Sequence, residues 1–305
     1  MIYTVTLNPS IDYVVRVANF TEGGMNRSTS ESFFAGGKGI NVSLVLKEFS
    51  TESIALGFIA GFTGEKIRTE LKGQGIREKF IDVLHGNSRI NIKLKTGFKE
   101  TEINGQGPDI KTDDTEALYS QLDELKAGDL LVLSGSVPKS VKPTIYRDIA
   151  VHLHKKHGGR VRVIIDTSDE ALKEAIEAKP YLIKPNHIEV CALLGKEITT
   201  DEKVIAEYAE DIRKRGVKNV LVSMADRGAV LSSEDGKSYF EKAPKGDAIN
   251  SVGAGDSMLA GFIAEYERSR DYSSALKWGI AAGSAGEFSE GLPKYADIEA
   301  LYRKM

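Results

Sequence analysis

Short apolar runs rich in β-branched residues alternate along this chain with longer segments of helical periodicity. The runs that we expect to form strands cover residues 2–7, 53–59, 130–134, 161–166, 181–184 and 219–223. Strands that alternate with helices are typical of a mostly parallel sheet with right-handed crossovers and with helices on both faces. The pattern therefore predicts an α/β protein in which one sheet lies between two layers of helices.

Two further segments are β-like and interrupt this alternation. Residues 12–34 contain several valines and a Gly-Gly turn, and residues 89–104 alternate Ile90, Ile92 and Leu94 with polar residues before turning back. Paired with each other, the two segments would form a small second sheet beside the main one. The apolar face of that sheet would need a cover, because soluble proteins rarely leave such patches exposed.

Composition limits the classes of function. The chain has 305 residues, enough for one α/β domain with an appendage, and it carries 41 Lys and Arg against 44 Asp and Glu. The net charge of -3 gives no electrostatic reason to expect a nucleic acid or an anionic membrane as a partner.

The expected compartment follows from the cysteine count and from the absence of long apolar runs. The single cysteine, Cys191, cannot form an internal disulfide, and we expect it to be a small core residue in a reducing environment. The first residues resemble a strand rather than a basic leader, and no apolar run approaches the length of a membrane span. We therefore expect a soluble, cytoplasmic protein.

The most informative motif is residues 250–257, which lead into a helix. The apolar stripe of that helix consists of Ala254, Met258, Leu259, Phe262, Ile263 and Tyr266. Gly253, Ala254 and Gly255 thus belong to its first turn, where amide groups lack intrahelical partners and the helix dipole adds partial positive charge. A phosphate group would fit at this helix start.

Asp256 lies in the same turn and adds a carboxylate to the anion site. A carboxylate beside a phosphate can accept the proton of an attacking hydroxyl, so Asp256 is a candidate general base. The alternative is a first-turn acid that only complements the helix dipole, after glycines that make a tight turn.

A second glycine-rich motif, residues 35–42, also precedes a helical pattern and contains Gly36, Gly37, Lys38 and Asn41. It lacks the Lys-Ser/Thr pair of a P-loop and the third glycine of the dinucleotide fingerprint. Closely spaced glycines still let the backbone approach a ligand, and Lys38 and Asn41 offer donors to a phosphate or to hydroxyls. A plain turn before a helix is the alternative interpretation.

A third motif follows the apolar run at 181–184, where Asn186 and Glu189 stand three residues apart. If Asn186 caps the next helix, the pair has the spacing of a capping box, with an amide in place of the hydroxyl. The alternative is that both residues supply oxygen ligands, through water, to a magnesium ion that carries nucleotide phosphates.

Together the three motifs resemble those of the ribokinase-like (PfkB) family of sugar kinases. The family fold is a three-layer α/β/α domain with a mostly parallel sheet and a small β-sheet lid. The likeness covers nearly the whole chain, which implies one kinase domain over residues 1–305 with a lid inserted from about 12–34 and 89–108. Within the family, the chain resembles the branch that acts on sugar phosphates, on the strength of residues 4–12, 26–27, 36–41, 89–91, 101–108 and 250–257.

The resemblance implies a role for each candidate residue. Asp256 would be the catalytic base, and the anion hole would consist of Gly253, Ala254 and Gly255. The sugar would contact Asp12, Gly36, Gly37, Asn41 and Ser136, although Ser136 could equally serve only to turn the chain. The substrate's existing phosphate would contact Arg27, Lys38 and Arg89. The nucleotide would contact Lys184, Asn186, Ser223, Gly228, Gly253 and Gly255, and magnesium would bind Asn186 and Glu189 through water.

The implied reaction transfers the γ-phosphoryl group of ATP to fructose 1-phosphate and gives fructose 1,6-bisphosphate. Tagatose 6-phosphate is the alternative acceptor, and a sensor that binds a sugar phosphate or a nucleotide without turnover is the alternative of another class. Asp256 argues against a sensor, because binding alone gains nothing from a carboxylate that faces phosphates. The lid is expected to pair with the lid of a second copy, so we predict a homodimer.

Overall fold

The computed structural model describes residues 1–97, 99–250 and 252–305. Its strands are β1 (Ile2–Thr6), β2 (Ser10–Arg16), β3 (Ser30–Gly36), β4 (Ser53–Ala60), β5 (Arg77–Glu78), β6 (Ile81–Val83), β7 (Arg89–Thr96), β8 (Lys99–Asn104), β9 (Leu130–Ser134), β10 (Arg162–Asp166), β11 (Leu182–Ile183), β12 (Asn219–Ser223), β13 (Ala229–Ser232) and β14 (Ser238–Glu241). Its helices are α1 (Lys38–Glu48), α2 (Gly61–Gly73), α3 (Thr112–Leu122), α4 (Ile145–His157), α5 (Asp169–Glu177), α6 (His187–Leu194), α7 (Glu202–Arg213), α8 (Ala254–Ser269), α9 (Tyr272–Glu287) and α10 (Tyr295–Tyr302), with a short 3₁₀ turn at Ala225–Arg227. None of the helices in these ranges is long and apolar enough to cross a membrane.

The main sheet has the strand order β14-β13-β12-β11-β10-β9-β1-β4-β5, with β6 paired to β4. Pairing is parallel from β12 to β5, while β13 and β14 add an antiparallel hairpin at one edge. Strand β4 is buried at every position, as expected for a parallel strand that is covered on both faces. One face of the sheet packs on helices that include α3, α4 and α7, and the other packs on α1, α8 and α9. The predicted three-layer α/β fold is confirmed.

All six predicted strands are present, and their ends match the prediction or differ by a single residue. The prediction missed β5, β6, β13 and β14. Strands β5 and β6 have only two and three residues, too few for an apolar alternation to be recognised. Strands β13 and β14 flank a turn with the step Asp235-Gly236, a hairpin signal that apolar periodicity alone does not use.

A second, four-stranded sheet in the order β3-β2-β7-β8 confirms that the two β-like segments pair. Its strands begin at Ser10 and end at Asn104, so residues 105–108 of the predicted lid lie outside the sheet, and residues 17–29 connect two of its strands. The parallel β2–β7 pair sets Asp12 opposite Asn91. Because side chains alternate along a strand, one face of the sheet is polar and the other is apolar.

The expectation for Cys191 is also confirmed. The thiol is free and fully buried in α6, where it packs in the core cluster that includes Val190 and Ile205. It behaves as a small apolar residue at the contact between α6 and its neighbours.

Candidate active site

The candidate residues gather where the parallel strands of the main sheet end. Asp166 is the last residue of β10 and Lys184 follows β11, while Lys38 opens α1 and Asp256 lies in the first turn of α8. The carboxyl edge of an open α/β sheet is where such proteins bind their ligands. Side chains from four distant parts of the sequence therefore meet at one edge of the sheet.

The start of α8 has the geometry of an anion site. Gly253 caps the helix with a φ of 80°, a left-handed conformation that favours glycine, and a Cβ there would lie 2.7 Å from Leu292 Cδ2. The first helical hydrogen bond runs from Ser257 N to Gly253 O at 2.8 Å, so the amide groups before Ser257 have no intrahelical partner. Ser251 of the same motif lies outside the described residues.

Asp256 is buried in this turn, with 5% of its surface exposed. Asn41 Nδ2, from α1, donates to Asp256 Oδ2 at 2.8 Å. Burial and the negative charge of Asp166 raise the pKa of Asp256 to about 6, although Lys38, Asn41 and Lys184 oppose the shift. A carboxylate with a pKa near 6 is a stronger base than an exposed one and is still mostly ionised at neutral pH.

Two lysines share the buried carboxylate of Asp166. Lys38 Nζ and Lys184 Nζ each lie 3.3 Å from Asp166 Oδ1, whereas Oδ2 is buried and has no hydrogen-bond partner among the described residues. Burial alone would raise the pKa of Asp166, but Lys184 and Lys38 together outweigh burial and hold that pKa below its ordinary value. Lys184 also reaches the first turn of α8, since a Cβ on Gly255 would lie 3.2 Å from its Nζ.

Lys38 lies among acidic residues of the site. The charge of Asp166 raises the pKa of Lys38 above its ordinary value, although burial opposes this, and the charges of Asp256 and Glu189 add to the increase. Of these acids, Asp256 is the candidate base and Glu189 belongs to the predicted magnesium motif. A contact between Lys38 and the substrate's existing phosphate stays a prediction.

Asp12 forms a second polar centre, on the small sheet. Its Oδ1 accepts hydrogen bonds from Ser10 Oγ at 2.8 Å and from Asn91 Nδ2 at 3.0 Å. A Cβ on Gly36 would lie 2.7 Å from this carboxylate, so the second glycine-rich motif needs a glycine there to let Asp12 approach. Gly37 then leads the chain into α1, which carries Lys38 and Asn41 to the first centre.

Arg89 lies at the start of β7, and its Nε donates to the backbone oxygen of Asn8 at 3.0 Å. Burial lowers the pKa of Arg89 from its ordinary value, while the charge of Asp12 opposes that shift. Arg27 and Ser136 are exposed, in the loop between β2 and β3 and after β9, respectively. The structure therefore brings Arg89 close to Asp12 and leaves Arg27 and Ser136 at the surface. The contacts of all three residues with a sugar phosphate stay predictions.

Asn186 and Glu189 form the capping box that the spacing allowed. Asn186 Oδ1 accepts from Glu189 N, and Glu189 Oε2 accepts from Asn186 N, both at 2.8 Å. Within the described ranges, no group of three His, Cys, Asp or Glu residues is placed to hold a metal. The cap is therefore present, and the magnesium role of the same two residues stays a prediction.

Ser223 and Gly228 lie at the end of β12 and in the turn after it. Ser223 N donates to Pro185 O at 3.1 Å, which holds the turn beside Asn186. Gly228 has a φ of 105°, and a Cβ there would lie 2.0 Å from Glu241 O, so the backbone alone requires glycine at this position. The backbone thus accounts for the glycine at position 228 without a ligand, and nucleotide contacts of either residue stay predictions.

Sequence reasoning missed three residues of these centres: Asp166, Asn91 as a partner of Asp12, and Lys93, whose Nζ lies 3.9 Å from Asp12 Oδ2. Asp166 could have been found, because an acid at the carboxyl end of a predicted parallel strand lies at the edge where ligands bind. Asn91 and Lys93 carried a weaker signal. They are the polar members of an alternating strand, a pattern that also fits an ordinary solvated face.

The raised pKa of Asp256 predicts how activity depends on pH. We expect kcat/KM to be constant near neutral pH and to fall as the pH drops through about 6, because the protonated acid cannot accept a proton. A pH–rate profile from about pH 5 to about pH 9, with the fold checked at each pH by circular dichroism, measures this limb. A profile that stays flat down to about pH 5 would contradict a base with this pKa.

Comparisons with known proteins agree with the geometry. The model of the pfkB family carbohydrate kinases matches residues 5–291. The chain is 47% identical to the 1-phosphofructokinase of Bacillus subtilis over 99% of this chain and 97% of that protein. It is 34% identical to the tagatose-6-phosphate kinase of Staphylococcus epidermidis over 93% of this chain and 91% of that protein.

A solved structure extends the comparison to three dimensions. Phosphofructokinase-2 from Escherichia coli, in a crystal structure with substrates and products, matches with a TM-score of 0.93 at 27% identity, over 99% of this chain and 98% of that one. The match includes both the main sheet and the small sheet, since nearly every residue is covered. The likeness in sequence and in structure agrees with the resemblance of the three motifs, and the chain belongs to the pfkB family of carbohydrate kinases.

Proposed function

We propose that this protein transfers the γ-phosphoryl group of ATP to O6 of fructose 1-phosphate, giving ADP and fructose 1,6-bisphosphate. The observation that carries the proposal is a buried carboxylate, Asp256, with a pKa of about 6 at a helix start where free amide groups meet two lysines. The choice of acceptor rests on the 1-phosphofructokinase of Bacillus subtilis, to which the chain is 47% identical.

In this mechanism Asp256 accepts the proton of the acceptor hydroxyl as its oxygen bonds to the γ-phosphorus and the bond to the β-phosphate oxygen breaks. Ala254 and Gly255 direct unpaired N–H groups at the phosphoryl oxygens, where charge redistributes in the transition state. Lys38 and Lys184 supply positive charge beside that turn. Asp12 accepts hydrogen bonds from the sugar, and Arg89 lies close to Asp12 to meet the existing phosphate.

The acids of the site fit a magnesium ion. Asp166 Oδ2 is buried without a hydrogen-bond partner among the described residues, and the charge of Glu189 acts on Lys38. Magnesium keeps several waters and is usually held by one or two carboxylates together with substrate phosphates. Asp166 and Glu189, with Asn186 beside them, would hold the ion through water, and when bound it would neutralise charge on the nucleotide phosphates.

Coupled ADP release tests the proposal. The acceptors to compare, with ATP and magnesium, are fructose 1-phosphate, its C4 epimer tagatose 1-phosphate, tagatose 6-phosphate, fructose 6-phosphate and unphosphorylated fructose. We expect the highest kcat/KM with fructose 1-phosphate and at least about a tenfold loss with fructose, because one unpaired charge-assisted hydrogen bond costs about that much. Preference for tagatose 6-phosphate would support the alternative suggested by the Staphylococcus epidermidis relative. No turnover with any acceptor would support a sensor.

We also propose that the protein is a homodimer through the apolar face of the small sheet. Tyr13 and Phe33 stack there with ring centroids 4.5 Å apart, opposite Ile92 and Ile103 on the neighbouring strands. Phe33 is 51% exposed and Ile103 is 58% exposed. The side chains share one face of a sheet, and an exposed apolar patch of this kind marks a surface that associates.

Phe33→Asp is expected to convert a dimer into a monomer, because a charge would have to be buried in the apolar contact. Light scattering coupled to size-exclusion chromatography measures the mass at micromolar concentration. Phe62→Asp is the matched control, since Phe62 is 73% exposed on α2, outside the small sheet. A wild-type protein of monomeric mass, or a monomer produced equally by both variants, would contradict this interface.

A further inference from the structure

Lys93 is a buried cation that none of the roles above uses. It lies in β7 on the polar face of the small sheet, with 7% of its surface exposed. Its ammonium nitrogen is 3.9 Å from Asp12 Oδ2 and 3.5 Å from Glu102 Oε1. A buried ammonium group is costly unless its charge is paired, so Lys93 depends on these two carboxylates.

The carboxylate of Asp12 is held by three neighbours that differ in chemistry. Ser10 Oγ and Asn91 Nδ2 donate to Oδ1, while Lys93 faces Oδ2. Asn91 and Lys93 alternate along β7 and Asp12 lies in β2, so the pairing of these two strands fixes the arrangement. The orientation of Asp12 is thus built into the small sheet.

Asn91 leaves a second acceptor beside Asp12. Its Oδ1 is buried and has no hydrogen-bond partner in the part of the chain that is described. Exchanging the oxygen and nitrogen of this amide would set Oδ1 against the negative Asp12 carboxylate. The hydrogen bond from Nδ2 to Asp12 therefore identifies Oδ1 as the atom without a partner. The Asn91 side chain is therefore held in one orientation against Asp12.

We propose that Lys93 is a positioning residue for the acceptor sugar, acting through Asp12. Its ammonium group attracts Oδ2 and offsets the negative charge of two carboxylates within one small sheet, while the hydrogen bond from Asn91 fixes Oδ1. The two oxygens then accept hydrogen bonds from sugar hydroxyls in one defined orientation, and hydrogen bonds to a charged acceptor are the stronger kind. The inference rests on the proposed function, because it assigns Asp12 to the sugar.

The first experiment compares Lys93→Met with Lys95→Met. Lys95 lies two residues further along the same face of β7 and pairs with Glu100 at 3.5 Å, so it is a matched control. We expect Lys93→Met to raise KM for fructose 1-phosphate about tenfold and to leave kcat and KM for ATP within about twofold. Lys95→Met should leave all three values within about twofold. Unchanged KM for ATP also shows that the fold persists, and Lys93→Gln replaces Lys93→Met if the latter does not fold.

The second experiment asks whether the effect passes through Asp12. In an Asp12→Asn background, adding Lys93→Met should raise KM for the sugar phosphate by less than about twofold, because the group that Lys93 positions is already altered. Independent, multiplicative effects would show that Lys93 acts elsewhere, for example directly on the substrate's phosphate, and would overturn the inference.

The two possible failures are distinguishable. An active wild type whose Lys93→Met and Lys95→Met variants have the same KM for fructose 1-phosphate contradicts the positioning role alone. A wild type that turns over none of the sugar phosphates contradicts the proposed function and the inference together.

Discussion

Replacing Asp256 by asparagine or alanine should lower kcat about 10²–10⁴-fold while ATP and the sugar phosphate still bind. The carboxylate is buried at the start of α8 with a pKa of about 6, which suits a group that takes a proton at neutral pH. The asparagine variant keeps the size of the side chain and can still accept the hydrogen bond from Asn41. Steady-state turnover gives kcat, and isothermal titration with each ligand shows whether binding persists.

Asp201→Ala is the matched control for the base. Asp201 caps α7 by accepting from Lys203 N and Val204 N at 2.9 and 3.3 Å, so it is an acid that serves its helix alone. Its loss should cost about 1 kcal/mol of stability and leave turnover unchanged. If Asp256→Ala behaves like Asp201→Ala, the alternative of a first-turn acid that only complements the dipole is correct.

The carboxylate of Asp256 should also affect stability. Its ionised form should lower the free energy of unfolding at neutral pH relative to the protonated form. Its pKa is higher in the folded chain than in the unfolded chain, so the folded state binds the proton more tightly, and stability from this group is lost as the pH rises from about 4 to about 6. Asp256→Asn removes the ionised form and should raise the free energy of unfolding at pH 7 by about 1–3 kcal/mol. Denaturant titrations at about pH 7 and about pH 4 should show that gain only at the higher pH.

Local sequence patterns predicted part of the candidate site. The features at α6 and α8 show why. Asn186 and Glu189 form both hydrogen bonds of their capping box within three residues, so their spacing was enough to suggest the cap as one of two interpretations. The apolar stripe that begins at Ala254 and includes Phe262 predicted α8, whose first turn holds Asp256. Each of these features depends on residues that are close in sequence, because helix capping and helical periodicity are local effects.

The contacts between the motifs could not be predicted in the same way. The hydrogen bond from Asn41 to Asp256 joins residues 215 positions apart, and the ion pair from Lys38 to Asp166 joins residues 128 positions apart. Such pairs depend on how strands are ordered in the sheet, which short sequence windows do not encode. The raised pKa of Asp256 has the same origin, since burial and the charge of Asp166 both come from the assembled fold.

Replacing Lys38 by methionine should lower kcat about 10²–10³-fold, the loss seen when one group that stabilises developing charge is removed. The ammonium group of Lys38 lies 3.3 Å from Asp166 Oδ1, and the charges of Asp256 and Glu189 act on it as well. This surrounds Lys38 with groups that we propose to act at the transferred phosphoryl group. Lys47→Met, in the last turn of the same helix α1, is the matched control and should leave kcat within about twofold.

A second readout separates this role from a contact with the substrate's existing phosphate. The charge of Lys38 lowers the pKa of Asp256, so removing it should raise that pKa above about 6 and move the acid limb of the pH–rate profile to higher pH. A residue that held only the existing phosphate, at a distance from Asp256, would instead raise KM for the sugar phosphate and leave both kcat and the acid limb unchanged. Measuring kcat and KM across pH for wild type, Lys38→Met and Lys47→Met distinguishes the two. A raised KM with an unmoved acid limb would return Lys38 to the sugar-phosphate end of the site.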